Sequence, residues 1–218
     1  MGCECEKPEE NIEELRAEEN PVKDLEVEDQ NDLNNNNLSL GSHNIKPEDS
    51  FSSFMFRKIN ALRENPSSFI DAIEKAKSNI QLDKSGIKIY KTSVKVALNN
   101  GESAFDNAIE LLKKTKPMQK LQFNPDFLID IPNNEVDVKS KQYLTDQVKL
   151  KLDAGIDVKS FWKDIVSDPE SCFILTIVDD SGKNPGSKRD DILNKDLKYI
   201  GISTVKIGRS FACYMVLG

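Results

Sequence analysis

The sequence predicts an α+β domain preceded by an acidic tail, and three observations lead to this fold class. Two apolar runs, residues 199–205 (YIGISTV) and 210–217 (SFACYMVL), are rich in β-branched and aromatic residues, and Gly208 lies between them. They predict a closing β-hairpin at the centre of the fold. Apolar residues recur at helical spacing within residues 51–76 and 103–116. Residues 1–50 show neither pattern.

Charge is divided unevenly along the chain. Its 218 residues carry a net charge of -7, but residues 1–32 alone contain 13 acidic and 3 basic residues. Residues 51–218 contain 26 basic and 22 acidic residues, a net charge of +4. A segment this polar, with an Asn-rich run at 31–37, buries too little surface to offset the entropy of ordering. We therefore expect a disordered tail at 1–50 and one folded domain at 51–218.

Several classes of protein are disfavoured by the composition. No run of about 18 apolar residues is present, and the N-terminus lacks the pattern of a secretory signal peptide. We therefore expect a cytoplasmic protein. Cys172 and Cys213 lie in apolar runs, and we interpret them as buried thiols rather than a disulfide. An acidic tail on a mildly basic domain disfavours nucleic acid as a partner.

The N-terminus, MGCECE, resembles an acylation signal. After removal of Met1, Gly2 is a candidate for myristoylation, with Cys3 and Cys5 as candidates for palmitoylation. Two acyl chains would anchor the protein stably on the cytosolic face of the plasma or a ciliary membrane. However, Glu6 stands where the motif has Ser or Thr, so the alternative is an ordinary acetylated terminus.

The domain begins with predicted helices. Asp49 or Ser50 is positioned to cap a helix over 51–62, and Pro66 starts a second helix with apolar residues to position 76. A third amphipathic helix spans 103–116 and is stopped by Pro117. Between them, residues 80–101 form a polar connector with one short strand at 87–90.

Residues 172–178 (CFILTIV) carry conflicting signals. The continuous apolar run is typical of a buried strand. However, Asp168, Pro169 and Glu170 form a helix start with a cap, a proline at the first position and an acid in the first turn. We predict a buried helix.

Three blocks resemble the CAP (SCP-like) domain family, which includes cysteine-rich secretory, antigen 5 and pathogenesis-related 1 proteins, in its protist form. They are residues 59–70 (INALRENPSSFI), 108–124 (AIELLKKTKPMQKLQFN) and 184–202 (NPGSKRDDILNKDLKYIGI). The blocks occur in the family's order. The resemblance implies a three-layer α-β-α sandwich with a mainly antiparallel central sheet.

The resemblance also implies that a metal cleft has been lost. In the family, two histidines and one or two glutamates line a cleft that can hold a divalent metal, a donor set suited to zinc. Here the corresponding positions carry Asn134, Lys163 and either Lys188 or Ser187, and the single histidine, His43, lies in the tail. We therefore expect no bound metal, no cofactor and no catalytic residue. The two lysines either face acids, with Asp164, Asp190 and Asp191 as the candidates, or lie in solvent.

The resemblance, with its lost cleft, thus implies a non-enzymatic binding or scaffolding module, whose ligand would be a sterol, another lipid or a protein. A hydrolase that uses Ser187, Lys188 and Asp190 is one alternative. A soluble partner-binding protein without lipid is the other. No nucleophile elbow, P-loop, dinucleotide fingerprint or paired-cysteine zinc spacing is present in the sequence.

Overall fold

A computed structural model describes residues 49–92, 95–131, 138, 140–180 and 184–218. Within these residues the protein is an α+β fold with six α-helices and two sheets. The helices are α1 (Ser50–Glu64), α2 (Ile70–Lys77), α3 (Glu102–Lys114), α4 (Lys141–Asp153), α5 (Pro169–Val178) and α6 (Ser187–Ile192). None of the helices in these ranges is long and apolar enough to cross a lipid bilayer.

The main sheet contains β4 (Gln122–Phe123), β5 (Ser160–Val166), β6 (Tyr199–Ile207) and β7 (Ser210–Leu217) in the order β4-β6-β7-β5. The predicted hairpin is confirmed: β6 and β7 pair antiparallel from Ile200↔Leu217 to Ile207↔Ser210. Gly208 makes the turn at φ +54°, a conformation that favours glycine. β5 pairs antiparallel with β7, while β4 runs parallel to β6.

The second sheet is small and lies in the segment predicted as a polar connector. It consists of β1 (Ile80–Leu82), β2 (Lys88–Lys91) and β3 (Lys95–Ala97), all antiparallel. The expected strand at 87–90 is thus found one residue further along, between two strands that the sequence did not predict. Tyr90 of β2 anchors the sheet against Phe105 of α3, with ring centroids 5.9 Å apart.

The main sheet has a buried cluster on each face. Alternate residues of β7 enter different clusters: Cys213, Met215 and Leu217 join α1, α3 and α5, whereas Tyr214 and Val216 join α4. Alternation is expected because successive side chains of a strand point to opposite faces. The core therefore depends on β7, which is central in the sheet.

The conflict over residues 172–178 is resolved in favour of the helix. Asp168 caps α5, since its Oδ1 accepts a hydrogen bond from the Ser171 amide at 2.8 Å. The apolar residues appear continuous in sequence because this helix is buried on nearly all sides, with Phe173 and Ile177 fully enclosed. Asp49, rather than Ser50, caps α1 through the Ser52 amide.

Two polar side chains fasten α1 to distant segments. Asn60 forms two hydrogen bonds with the main chain of Leu121. Arg63 is fully buried, which lowers the pKa of its guanidinium, and its nitrogens donate to four main-chain carbonyls. The acceptors belong to Gln119, Ile192, Asn194 and Leu197. These bonds join the three sequence blocks that carry the family resemblance.

Candidate functional site

Three of the predicted site positions lie on described elements. Lys163 is in β5, while Ser187 and Lys188 begin α6. The fourth position, Asn134, is outside the described residues, as are His43 and the acylation candidates Gly2, Cys3 and Cys5.

Lys163 and Lys188 lie on opposite faces of the main sheet. Lys163 Nζ donates to the carbonyls of Val138 at 2.8 Å and Ser140 at 3.1 Å, beside the α4 cluster. Burial, with a contribution from Lys141, lowers its pKa. Lys163 thus neither faces an acid nor lies free in solvent, which were the two arrangements expected. Lys188 reaches the other face.

Lys188 forms what we call the acid–lysine cluster with Asp164 and Asp179. Its Nζ contacts Asp164 Oδ1 and lies 3.9 Å from Asp179 Oδ1. The side chains of Asp164 and Lys188 are 17% and 19% exposed, and that of Asp179 is 0% exposed. Of the two alternatives for Lys188, the structure therefore has the lysine paired with an acid, Asp164. Asp190 instead lies 3.6 Å from Arg189, and Asp191 accepts a hydrogen bond from Ser160.

Asp179 was missed as a member of this cluster. It ends α5 in the left-handed conformation, with φ +40°, and it is the non-glycine residue with positive φ in the described chain. Its Oδ2 accepts from the Lys188 amide at 2.8 Å and from Ser187 Oγ at 3.3 Å. The sequence does contain an indication of this role. An aspartate directly after the last residue of a helix lies at the negative end of the helix dipole, which destabilises its charge. An acid there indicates that a partner compensates it.

The neighbouring Asp180 has a structural role. Its carboxylate accepts from the amides of Asn100 at 2.9 Å and Gly101 at 3.1 Å, and from the Asn100 side chain at 2.6 Å. Asn99 in turn donates to the Asp180 carbonyl at 2.8 Å. Asp180 thereby fixes the loop that leads into α3.

A cavity of about 160 Å³ opens beside the acid–lysine cluster. Among the described residues, its polar wall is formed by Asp164, Asp179, Asp180 and Lys188. The apolar wall comes from β3, β5 and α5, with Val96, Ala97, Leu98, Ile165, Val166 and Leu175. Three carboxylates and one ammonium give these described residues a net negative charge. Asp164 Oδ2 and Asp179 Oδ1 are buried and accept no hydrogen bond from the part of the chain that the structure describes.

A groove of about 640 Å³ lies where β6 begins and β7 ends. Phe127 and Tyr199 line it edge to face, with centroids 6.4 Å apart. Gly201 allows the main chain of Phe127 to lie close, because a Cβ there would approach it within 2.5 Å. Charged residues at the rim include Asp157 and Lys159, which pair at 2.6 Å. No sequence motif indicated this groove.

Cys172 and Cys213 are both free and buried. The neighbouring Cys172 thiol, together with burial, raises the pKa of the Cys213 thiol well above its usual value. A thiol with a raised pKa is a poor nucleophile and a poor metal ligand, because both roles require the thiolate. This pair therefore contributes to the core.

The arrangement limits the chemistry available at the cluster. Ser187 Oγ donates to Asp179, and Lys188 Nζ is directed to Asp164, so the described chain holds no Ser187–Lys188 hydrogen bond. Among described residues, no group of three or more His, Cys, Asp or Glu side chains is arranged to hold a metal ion. Comparison with known protein families, with curated proteins and with solved structures finds no match.

Proposed function

We propose that residues 51–218 form a CAP-like, non-enzymatic binding module, an α-β-α sandwich in which Lys188 occupies the position of the family's metal. The contacts of Asn60 and Arg63 support the family assignment, since they join the three resembling blocks. The two clusters on opposite faces of the main sheet support the sandwich.

The position of the Lys188 ammonium between Asp164 and Asp179 carries this proposal. A divalent cation would have to displace the Lys188 ammonium. The ammonium is covalently part of the chain, so it occupies the site at any concentration of metal in solution. The same contact argues against a hydrolase, because a general base must accept the proton of Ser187, whereas Lys188 Nζ donates to Asp164 and is directed away from Ser187. The cleft therefore lacks both a metal and an activated nucleophile in this proposal.

The 640 Å³ groove is the candidate site for a sterol, another lipid or a protein segment. Its volume lies within the range of about 300–1,000 Å³ typical of small-molecule sites, and Phe127 and Tyr199 provide aromatic surface. Acylation at Gly2, with Cys3 or Cys5, would hold the module at a membrane. Metabolic labelling with a myristate analogue tests this: wild type should be labelled and Gly2→Ala should not, whereas an unlabelled wild type excludes the anchor.

Replacement of Lys188 tests the cleft itself. Lys188→Ala removes the ammonium beside Asp164 and Asp179, and we expect it to lower the free energy of unfolding by about 2 kcal/mol, or roughly 5 °C in Tm. Added Mg²⁺ or Zn²⁺ should raise the Tm of Lys188→Ala but not that of wild type. Lys195→Ala, a change at an exposed lysine, is the matched control.

Two results would overturn the proposal. One is stoichiometric zinc in purified wild-type protein, measured by elemental analysis. The other is hydrolysis of an ester or peptide substrate that is lost in Ser187→Ala, which would establish the hydrolase alternative.

A further inference from the structure

The cavity beside the acid–lysine cluster has unused capacity to accept hydrogen bonds. Asp164 and Asp179 each use one oxygen, and the other oxygen of each is buried without a donor in the part of the chain described. Lys188 Nζ, at 3.9 Å from Asp179 Oδ1, is beyond hydrogen-bond distance. Buried carboxylate oxygens without donors are costly, so a ligand that supplies donors to both would be stabilised.

The charge around the cavity favours a cationic ligand. Lys188 neutralises one of the three carboxylates in the wall, while the donors to Asp180 are neutral amides that leave its charge in place. Arg189, the next cation along the chain, is engaged with Asp190 at 3.6 Å and with the Ile177 carbonyl at 3.3 Å. A cation that enters the cavity therefore meets net negative charge.

The shape of the cavity favours a guanidinium on an aliphatic stem. Its six apolar residues suit methylene groups, and about 160 Å³ is comparable to one long side chain. A planar guanidinium has five N–H donors and can reach oxygens of two different carboxylates. The ammonium of a lysine from a ligand concentrates its charge on one nitrogen, so it is less suited than a guanidinium to bind two separate carboxylates beside Lys188.

The edges of two sheets meet the cavity. β5 is an outer strand of the main sheet and contributes Asp164, Ile165 and Val166 to the wall, while β3 is an outer strand of the small sheet and contributes Val96 and Ala97. Outside its pairing with β7, β5 forms no backbone hydrogen bond with another described segment. An extended peptide that adds to such an edge directs every second side chain to one face.

We propose that this cavity receives an arginine side chain from an extended segment of a partner protein, bound by Asp164 and Asp179 and aligned along the edge of β5. The inference rests on the proposed function, because it assigns the partner of the same binding module.

Binding of short peptides to the full-length protein tests the proposal. The probe is a blocked seven-residue peptide of alternating Val and Thr with a central Arg, and its match carries citrulline, which has the same shape without the charge. Calorimetry should show that the Arg peptide binds at least about tenfold more tightly than the citrulline peptide, because charge-assisted bonds are the stronger ones. Equal affinity, or no binding, would overturn the proposal.

Two variants locate the site. Asp164→Asn and Asp179→Asn each remove one charge and keep the shape, and asparagine tolerates the left-handed backbone at position 179. Each should lower the affinity for the Arg peptide at least about tenfold. Asp153→Asn, at an exposed position of α4, should leave that affinity unchanged. Circular dichroism confirms that each variant is folded, and wild-type affinity in both folded variants would contradict the assignment.

Agmatine, a free guanidinium on an aliphatic chain, distinguishes the source of the ligand. If agmatine binds as tightly as the Arg peptide, the site takes a small molecule, and the protein partner is excluded. Zinc content and Ser187-dependent hydrolysis are measured on the same preparation. Failure of the Arg peptide to bind would contradict the arginine site alone. Bound zinc or Ser187-dependent hydrolysis would contradict the proposed function, so the two failures are distinguishable.

Discussion

Asn60 pairs with the main chain of Leu121 as one strand pairs with another. Its Oδ1 accepts from the Leu121 amide at 2.8 Å, and its Nδ2 donates to the Leu121 carbonyl at 3.1 Å, both in the buried interior. An asparagine amide reproduces the donor and acceptor of a peptide group, so α1 is joined to the segment entering β4 without a strand of its own.

Asn60→Asp should lower the free energy of unfolding by about 1–3 kcal/mol, because the new oxygen would face the Leu121 carbonyl. Urea unfolding followed by circular dichroism measures the loss. Asn107→Asp, the same change at an exposed position of α3, is the control and should stay within about 0.5 kcal/mol. Equal effects of the two substitutions would mean that the Asn60–Leu121 pair is unimportant.

Arg63→Lys should destabilise the domain by about 3 kcal/mol or more, since one ammonium cannot reach four carbonyls spread over two segments. Arg57→Lys, in the exposed part of α1, should cost under about 0.5 kcal/mol. Chemical denaturation of both variants provides the comparison. A loss below 1 kcal/mol in Arg63→Lys would contradict the assignment of Arg63 as the central fastening of α1.

Asp168→Ala should cost about 1 kcal/mol at neutral pH through loss of the α5 cap. Burial opposes ionisation of Asp168, but hydrogen bonds from Ser167 and Ser171 outweigh it and lower the pKa. This stabilisation is therefore present above the unfolded-state pKa of about 4 and is lost as the pH falls through the folded-state value. Unfolding at pH 7 and pH 2.5 should show a smaller difference between wild type and variant at the lower pH.

Tyr214→Phe should reduce the loss of stability at alkaline pH. Burial, with a contribution from Tyr143, raises the pKa of Tyr214 to about 12, and its hydroxyl donates to the Val138 carbonyl at 3.1 Å. Between a pH of about 10 and that value, the unfolded chain releases a proton that the folded chain retains, so stability falls. Thermal unfolding from pH 8 to 11 measures the slope, and Tyr199→Phe, at a 40% exposed residue, is the control. Equal slopes in wild type and Tyr214→Phe would exclude this role.

The sequence predicts the elements whose apolar pattern or terminal residues are distinctive. The hairpin of β6 and β7 has two buried faces and a glycine at the turn. The start of α5 is indicated by the capping residue Asp168 and by Pro169 at the first helical position. The small sheet is different: β1 and β3 are three residues long and mostly exposed. Their pairing comes from backbone hydrogen bonds, which leave no apolar pattern to read.

The site follows the same distinction. The Lys188–Asp164 pair was among the arrangements foreseen, since both residues are charged and lie in marked segments. Lys163 and Asp164 are adjacent in the chain but point to opposite faces of β5, and that separation depends on recognising residues 160–166 as a strand. With charges in the middle of its sequence, β5 does not have the pattern of a buried strand.

The hydrogen bonds that attach α1 to the rest of the domain place little constraint on which side chains their acceptor residues carry. Every atom that Asn60 and Arg63 bind belongs to the main chain, at positions 119, 121, 192, 194 and 197. A carbonyl is present whichever residue occupies those positions, so only two of the seven participants are specified by their side chains. The side chains at positions 119, 121, 192, 194 and 197 could therefore change widely in evolution while their main chain still binds α1 in the same way.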